Sequence, residues 1–141
     1  MEAKRTLITV EAGVNAPVAK VWKYWTTPED IMQWNAASDD WHTTSATNDV
    51  RVGGKFSARM EARDKSFGFD FAGVYTEVRP HELLVYEMGD DRDVRVEFEV
   101  QGDATVVRET FVAEGTHSIE MQRGGWQSIL NRFKDFVEKQ G

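Results

Sequence analysis

The chain has 141 residues, 17 Lys and Arg against 24 Asp and Glu, a net charge of −7 and no cysteine. The acidic balance excludes a general nucleic-acid binder and docking on an anionic membrane, and the lack of cysteine excludes disulfides, thiolate chemistry and cysteine–zinc sites. The length suits one domain spanning 1–141, and at this size folding buries roughly two-thirds of the extended chain's surface, enough for a hydrophobic core without staples. Aromatic residues make up 11% of the chain, five of them Trp, which is the composition of a folded protein. Met1–Leu7 carries no apolar run before a small-residue cleavage site. No stretch reaches the ~20 apolar residues of a membrane helix, so the expected location is cytoplasmic.

The first element is a strand over Thr6–Val14, where Ile8, Val10, Ala12 and Val14 alternate with Leu7, Thr9, Glu11 and Gly13. Asn15 offers a helix cap and Pro17 suits a first turn; Val18, Val21, Trp22 and Trp25 then follow at i, i+3, i+4 and i+7 on one helical face. Thr27-Pro28-Glu29-Asp30 reads as a second helix start, leading into Ile31, Met32 and Trp34. From Trp41 to Ala113 the period changes to two, with turn signals at Gly53-Gly54, Asp64-Lys65, Arg79-Pro80, Gly89-Asp90-Asp91 and Gly102-Asp103. The strand-like runs between them are Lys55–Arg63, Phe67–Val78, Leu83–Met88, Val94–Val100 and Thr105–Ala113. Short turns make such strands antiparallel. The last segment returns to helix, with Trp126, Ile129, Leu130, Phe133, Phe136 and Val137 as an apolar stripe and Ser118 or Thr116 as its cap. Gly124 and Gly125 inside that helix cost about 1 kcal/mol each relative to Ala; they imply either close packing against a sheet or a need for space.

This order predicts an α+β architecture, a curved antiparallel sheet of about seven strands gripping one long C-terminal helix, in the order β-α-α-β6-α. One helix cannot fill so wide a concavity, so a cavity is expected between sheet and helix, closed by the short helices and the loop after Trp34. Ala16-Pro17 with Val21-Trp22, Trp25-Thr26 and Pro28-Glu29 resembles the opening of the START-like (SRPBCC) superfamily, in the branch named for homology to the activator of heat-shock protein 90 ATPase. Asn48–Phe56, Gly73–Val78 with Pro80 and Glu82, and Gly125–Leu130 resemble the later motifs of that branch, so the likeness runs from Thr6 to Glu138. The branch often has two tryptophans where this chain has Trp34-Asn35. The resemblance implies a helix-grip fold with a hydrophobic cavity, and it implies fold more strongly than activity, because fold fellows include lipid carriers, hormone receptors and cyclases.

Several residues are candidates for the site. Trp34 and Trp41 flank the loop Asn35–Asp40, where they either stack on a ligand or anchor the loop to the core. His42 follows two acids and an aromatic in Asp39-Asp40-Trp41-His42, which suits a general base or an ordinary surface histidine. No second His lies at metal-ligating spacing, so neither a metal nor another cofactor is expected. Glu109 alternates with Val107 and Phe111, while Val106, Arg108, Thr110 and Val112 form an equally apolar alternative inner face. If Glu109 faces inward, burial raises its pKa and suits it to acid–base work; the competing reading pairs it with Arg59, Arg123 or another cation. Phe56, Ala58, Met60 and Ala62 read as a cavity wall. Phe67, Phe69, Phe71 and Tyr75 share a parity that a bulge at Gly73 would reverse, leaving the side of Asp70 open. Gln122 shares a helical face with Trp126 and could present an amide to a ligand.

The leading expectation is binding of a small, largely hydrophobic molecule, such as a lipid, polyketide or aromatic metabolite, with Trp34, Trp41, Met60, Tyr75, Glu109, Gln122 and Trp126 as contacts. A second is a cyclase- or hydrolase-type enzyme using Glu109 or His42 as acid or base, although no nucleophile–base pair is visible. A third, implied by the resemblance, is contact with a chaperone. A monomer, or a weak homodimer covering a strand edge, is expected.

Overall fold

The computed structural model describes residues 6–36, 38–88 and 92–140, so Met1–Arg5 and the expected turn Gly89-Asp90-Asp91 lie outside the described residues. The elements follow in the order β1 (Leu7–Val14), α1 (Val18–Thr26), α2 (Pro28–Trp34), β2 (Trp41–Asn48), β3 (Lys55–Ala62), β4 (Gly68–Arg79), β5 (Leu83–Glu87), β6 (Asp93–Gln101), β7 (Ala104–Val112) and α3 (Ile119–Lys139). All seven strands form one curled antiparallel sheet ordered β1-β7-β6-β5-β4-β3-β2. The N-terminal strand therefore closes onto the last one, and the wide β2-to-β7 meander lies to one side.

The alternation predicted for β1 places Ile8, Val10, Ala12 and Val14 on the buried face. On β6 the buried set is Val94, Val96 and Phe98, while Val100 is exposed. Between the sheet and α3, Leu130, Phe133 and Val137 are fully buried with Ile8, Val96 and Val107 in one cluster. Each such side chain contributes about 1.5–3 kcal/mol by leaving water. α3 is further pinned along β1. The Gln127 side-chain amide donates to the Glu11 carbonyl at 3.0 Å, and the Asn15 backbone N–H donates to the Glu138 carboxylate at 2.8 Å.

The helix caps differ in part from expectation. Asn15 is not the cap of α1: its backbone N–H goes to Glu138, and Pro17 occupies the cap position with no side-chain bond. Thr27 caps α2 by its backbone position alone, because its hydroxyl donates back to the Lys23 carbonyl. Ser118, not Thr116, caps α3, its Oγ accepting from the Met121 N–H at 3.1 Å. Gly124 and Gly125 are not there for close packing: a Cβ built at either meets nothing within 4 Å.

Two register shifts decide which side chains face inward. One lies between Thr43 and Ser45 on β2, the other between Tyr75 and Glu77 on β4. A bulge lets a strand bend and switches its side-chain parity. On β4 the switch falls just after Tyr75, not at Gly73, so Phe69, Phe71 and Tyr75 stay on the concave face. Asp70 points outward, where Arg59 holds it and Glu61. Gly73 has a different reason to be glycine, because a Cβ there would lie 2.7 Å from the Glu87 carbonyl oxygen and from the Phe56 ring. Among the described residues, no helix is long and apolar enough to cross a membrane.

Candidate functional site

α3 lies along the β1 edge of the concave face and α2 packs over β2, which leaves the hollow above β3, β4 and β5 uncovered. The result is a cavity of about 430 Å³ between sheet, α2 and α3. Its size falls within the roughly 300–1,000 Å³ of small-molecule sites and is about three times that of an apolar cavity that takes one benzene.

Nine of the residues around it are aromatic. Trp126 of α3 is held flat on Phe111, with ring centroids 3.9 Å apart and 14° between planes, and meets Phe71 edge-on at 6.2 Å. Trp34 is buried and doubly engaged. Its indole N–H donates to the Tyr24 carbonyl at 3.1 Å, and its ring packs on Trp25 at 5.0 Å and Phe133 at 4.9 Å. It both anchors α2 and walls the cavity, so the two readings of this residue describe one position. Trp41 is half-buried and meets Phe67 and Phe69 at 6.0 and 5.8 Å, forming an aromatic rim at the tip of the β3–β4 hairpin. Phe56, Ala58 and Met60 line the floor; Ala62 is buried beyond it.

The polar groups are few. The Tyr75 hydroxyl donates to Asn48 Oδ1 at 2.7 Å, and Asn48 Nδ2 donates to the Thr26 carbonyl at 2.8 Å, which ties the end of α1 to the sheet. Burial pushes the Tyr75 hydroxyl up to about 12, partly opposed by the Asn48 bond. Glu109 settles the parity of β7: Thr105, Val107, Glu109 and Phe111 are buried, with Glu109 opposite Val10 and Val96. Arg108 points outward and donates to the Glu11 carboxylate at 2.8 Å. Neither Arg59 nor Arg123 pairs with Glu109. Arg59 serves Glu61 and Asp70, and Arg123 is exposed on α3. Among the described residues the Glu109 carboxyl has no hydrogen-bond partner, and burial raises its pKa to about 8. The Tyr86 hydroxyl likewise lacks a partner and faces the same cavity. Burial, and then the charge of Glu109, hold its pKa well above the ordinary value.

Of the residues expected at the site, Trp34, Trp41, Met60, Tyr75, Glu109 and Trp126 converge on this cavity; Gln122 and His42 do not. The Gln122 amide is turned into the start of α3. Its Oε1 accepts from the Glu114 N–H at 2.8 Å, and its Nε2 donates to the Glu114 and His117 carbonyls at 3.1 and 2.9 Å. The first turn of a helix and its approach leave many backbone groups without partners, and here they claim the amide. His42 lies opposite Glu61 on β2, away from the lining. Its neighbour Asp39 accepts from Arg132 of α3 at 2.7 Å, a bond that holds its carboxyl below the usual range. Trp25, Asn48, Tyr86 and Ile129 line the cavity but were not among the site candidates: Trp25 and Ile129 were read only as apolar helix positions. The Leu84–Tyr86 alternation contained the signal for Tyr86, whereas Asn48 faces inward only because of the bulge at Thr44. Among the described residues, no group of His, Asp and Glu is arranged to hold a metal ion.

A curled seven-stranded sheet around a long terminal helix, with an aromatic-lined hollow between them, is a helix-grip domain of START-like type. Residues 15–138 match the family described as Activator of Hsp90 ATPase homolog 1-like protein, and the chain belongs to that family. It is 44% identical to the solved AHSA1-like protein from Aeromonas hydrophila, over 96% of this chain and 94% of that one, with a TM-score of 0.90. It is 47% identical to Chr148 from Cytophaga hutchinsonii, over 94% and 92% of the two chains, with a TM-score of 0.82. The protein NE0264 from Nitrosomonas europaea, 18% identical over 95% of each chain with a TM-score of 0.83, shares the fold. Comparison with curated proteins finds no match.

Proposed function

We propose that this protein binds a small, largely apolar molecule in the cavity between the sheet and α3. The observation that carries the reading is a hollow of about 430 Å³ walled by aromatic side chains around an unpartnered carboxyl and an unpartnered hydroxyl. Apolar burial supplies affinity in such a site and the few polar groups set orientation. A protein interior close-packed to ordinary density leaves no void of this size.

The test uses protein purified natively from its own host and analysed by native mass spectrometry. It is paired with an amide NMR titration of emptied protein with 2-naphthalenemethanol. Retention of a small molecule, or saturable shifts confined to the lining residues, is expected. Ala58→Phe, which pushes a ring into the hollow from the floor, should abolish both. No retained mass together with unmoved spectra would overturn the proposal.

One observation favours a second reading, proton transfer to a bound molecule. A carboxyl whose pKa burial raises to about 8, in an aromatic-lined cavity, is suited to acid–base work. In that case Glu109→Gln keeps the guest and loses turnover. Equal turnover by the variant removes this reading.

A further inference from the structure

The charge inside the cavity is one-sided. Among the described residues Glu109 is its only carboxyl, and no Lys, Arg or His lines it. Each element packed around that carboxyl contributes apolar or aromatic groups. Val10 comes from β1 and Val96 from β6, α3 presents Trp126 and Ile129, and among the described residues the only other titratable side chains facing the space are Tyr86 of β5 and Tyr75 of β4. The Tyr75 hydroxyl is committed to Asn48. A buried carboxyl without a hydrogen bond is costly to maintain, and a buried anion more so, unless a partner arrives. Among the described residues no cation or hydrogen bond meets it, and the one neighbouring hydroxyl it acts on, that of Tyr86, carries no charge to balance an anion. The aromatic wall adds a second preference, because ring faces attract cations, most strongly when both are out of water.

We propose that the guest of this cavity is a compact two- or three-ring molecule carrying a basic nitrogen, with its ammonium seated between the Glu109 carboxylate and the aromatic wall. The proposal rests on the reading that the cavity binds a guest, and it specifies the guest's charge. A carboxylate-bearing guest, such as a fatty acid, meets like charge or a proton that must be retained. An uncharged guest leaves Glu109 protonated. An amine guest ionises it, and the displaced proton leaves to solvent. With the free carboxyl titrating at about 8, binding at pH 7 releases about 0.9 proton per site.

Three matched probes distinguish these cases: 2-naphthylmethylamine, 2-naphthalenemethanol and 2-naphthoate, titrated by calorimetry from pH 6 to pH 9. The amine is expected to bind at least tenfold tighter than the alcohol at pH 8. Its Kd should fall close to tenfold from pH 6 to pH 7 and level off above pH 8, while the alcohol changes little and the naphthoate weakens as pH rises. Calorimetry in two buffers of different ionisation heat should give near-unit proton release at pH 7 for the amine and none for the alcohol. Glu109→Gln should abolish the preference by weakening the amine far more than the alcohol; the two-buffer measurement on the unaltered protein stands even if that variant does not fold. Binding of all three probes without an amine preference, or a preference that survives in Glu109→Gln, overturns this inference and leaves the cavity reading intact. Failure of all three to bind overturns both.

Discussion

Replacing Glu109 with Gln isolates the cost of keeping that carboxyl in the cavity. In the folded protein it titrates at about 8, against an ordinary value of 4.5. Between those two values the unfolded chain has released the proton and the native state still holds it. The native state then binds more protons than the unfolded one, and stability falls as pH rises, by 1.36 kcal/mol per pH unit for one group. The stability present below pH 4.5 is therefore eroded by about 3 kcal/mol at pH 7 and about 5 kcal/mol once pH passes 8. Gln has the same shape and no ionisation, so it carries none of this slope. Any fixed cost of its unpartnered amide is the same at every pH. Urea unfolding of both proteins at pH 5, 6, 7, 8 and 9 reads the difference directly. The stability of the natural protein minus that of Glu109→Gln should fall steadily from pH 5 to pH 8 and flatten above. At about 3 °C per kcal/mol for a chain of this length, the variant's thermal advantage should grow by roughly 10 °C between pH 4.5 and pH 7. Parallel stabilities across that range would refute the reasoning, because they would mean that the carboxyl ionises freely inside the hollow.

Glycine substitutions should split by sign. Gly124→Ala and Gly125→Ala add a methyl to open space in the middle of α3 and should each stabilise by up to about 1 kcal/mol in urea unfolding. Gly73→Ala should instead destabilise by about 1–3 kcal/mol, because the backbone carbonyl of Glu87 cannot give way as a flexible side chain could. Gln122→Ala strips the partners from Glu114 and His117 and should cost about 1–2 kcal/mol, with no change in the affinity of the naphthalene probes. Asn48→Ala leaves the buried Tyr75 hydroxyl and the Thr26 carbonyl without their shared partner. It should lower stability by about 1–3 kcal/mol, with amide shifts spreading from β4 to the end of α1.

Period and turn chemistry made most of the fold legible. β1 and β6 state their buried faces in the alternation itself, and the stripe through Leu130, Phe133 and Val137 states that of α3. What stayed hidden depended on partners distant in sequence. The two parities of β7 are almost equally apolar, and only its pairing with β1 and β6 turns Glu109 inward. The bulges at Thr44 and Thr76 fall on residues that are neither glycine nor proline, so no turn signal marks them in the sequence. The spacing that put Gln122 on the face of Trp126 was sound as helical geometry. It could not show that the incoming segment at Glu114–Ser118 would bond the amide first.

Four of the five tryptophans, Trp25, Trp34, Trp41 and Trp126, stand around the hollow, and the fifth, Trp22, packs outside it against Phe98 and His81. Indole emission follows the polarity and quenchers in its immediate surroundings, so the protein's own fluorescence is a built-in gauge of whether the hollow is filled. No label is needed to read it, and the remote indole supplies an internal reference that a guest does not touch.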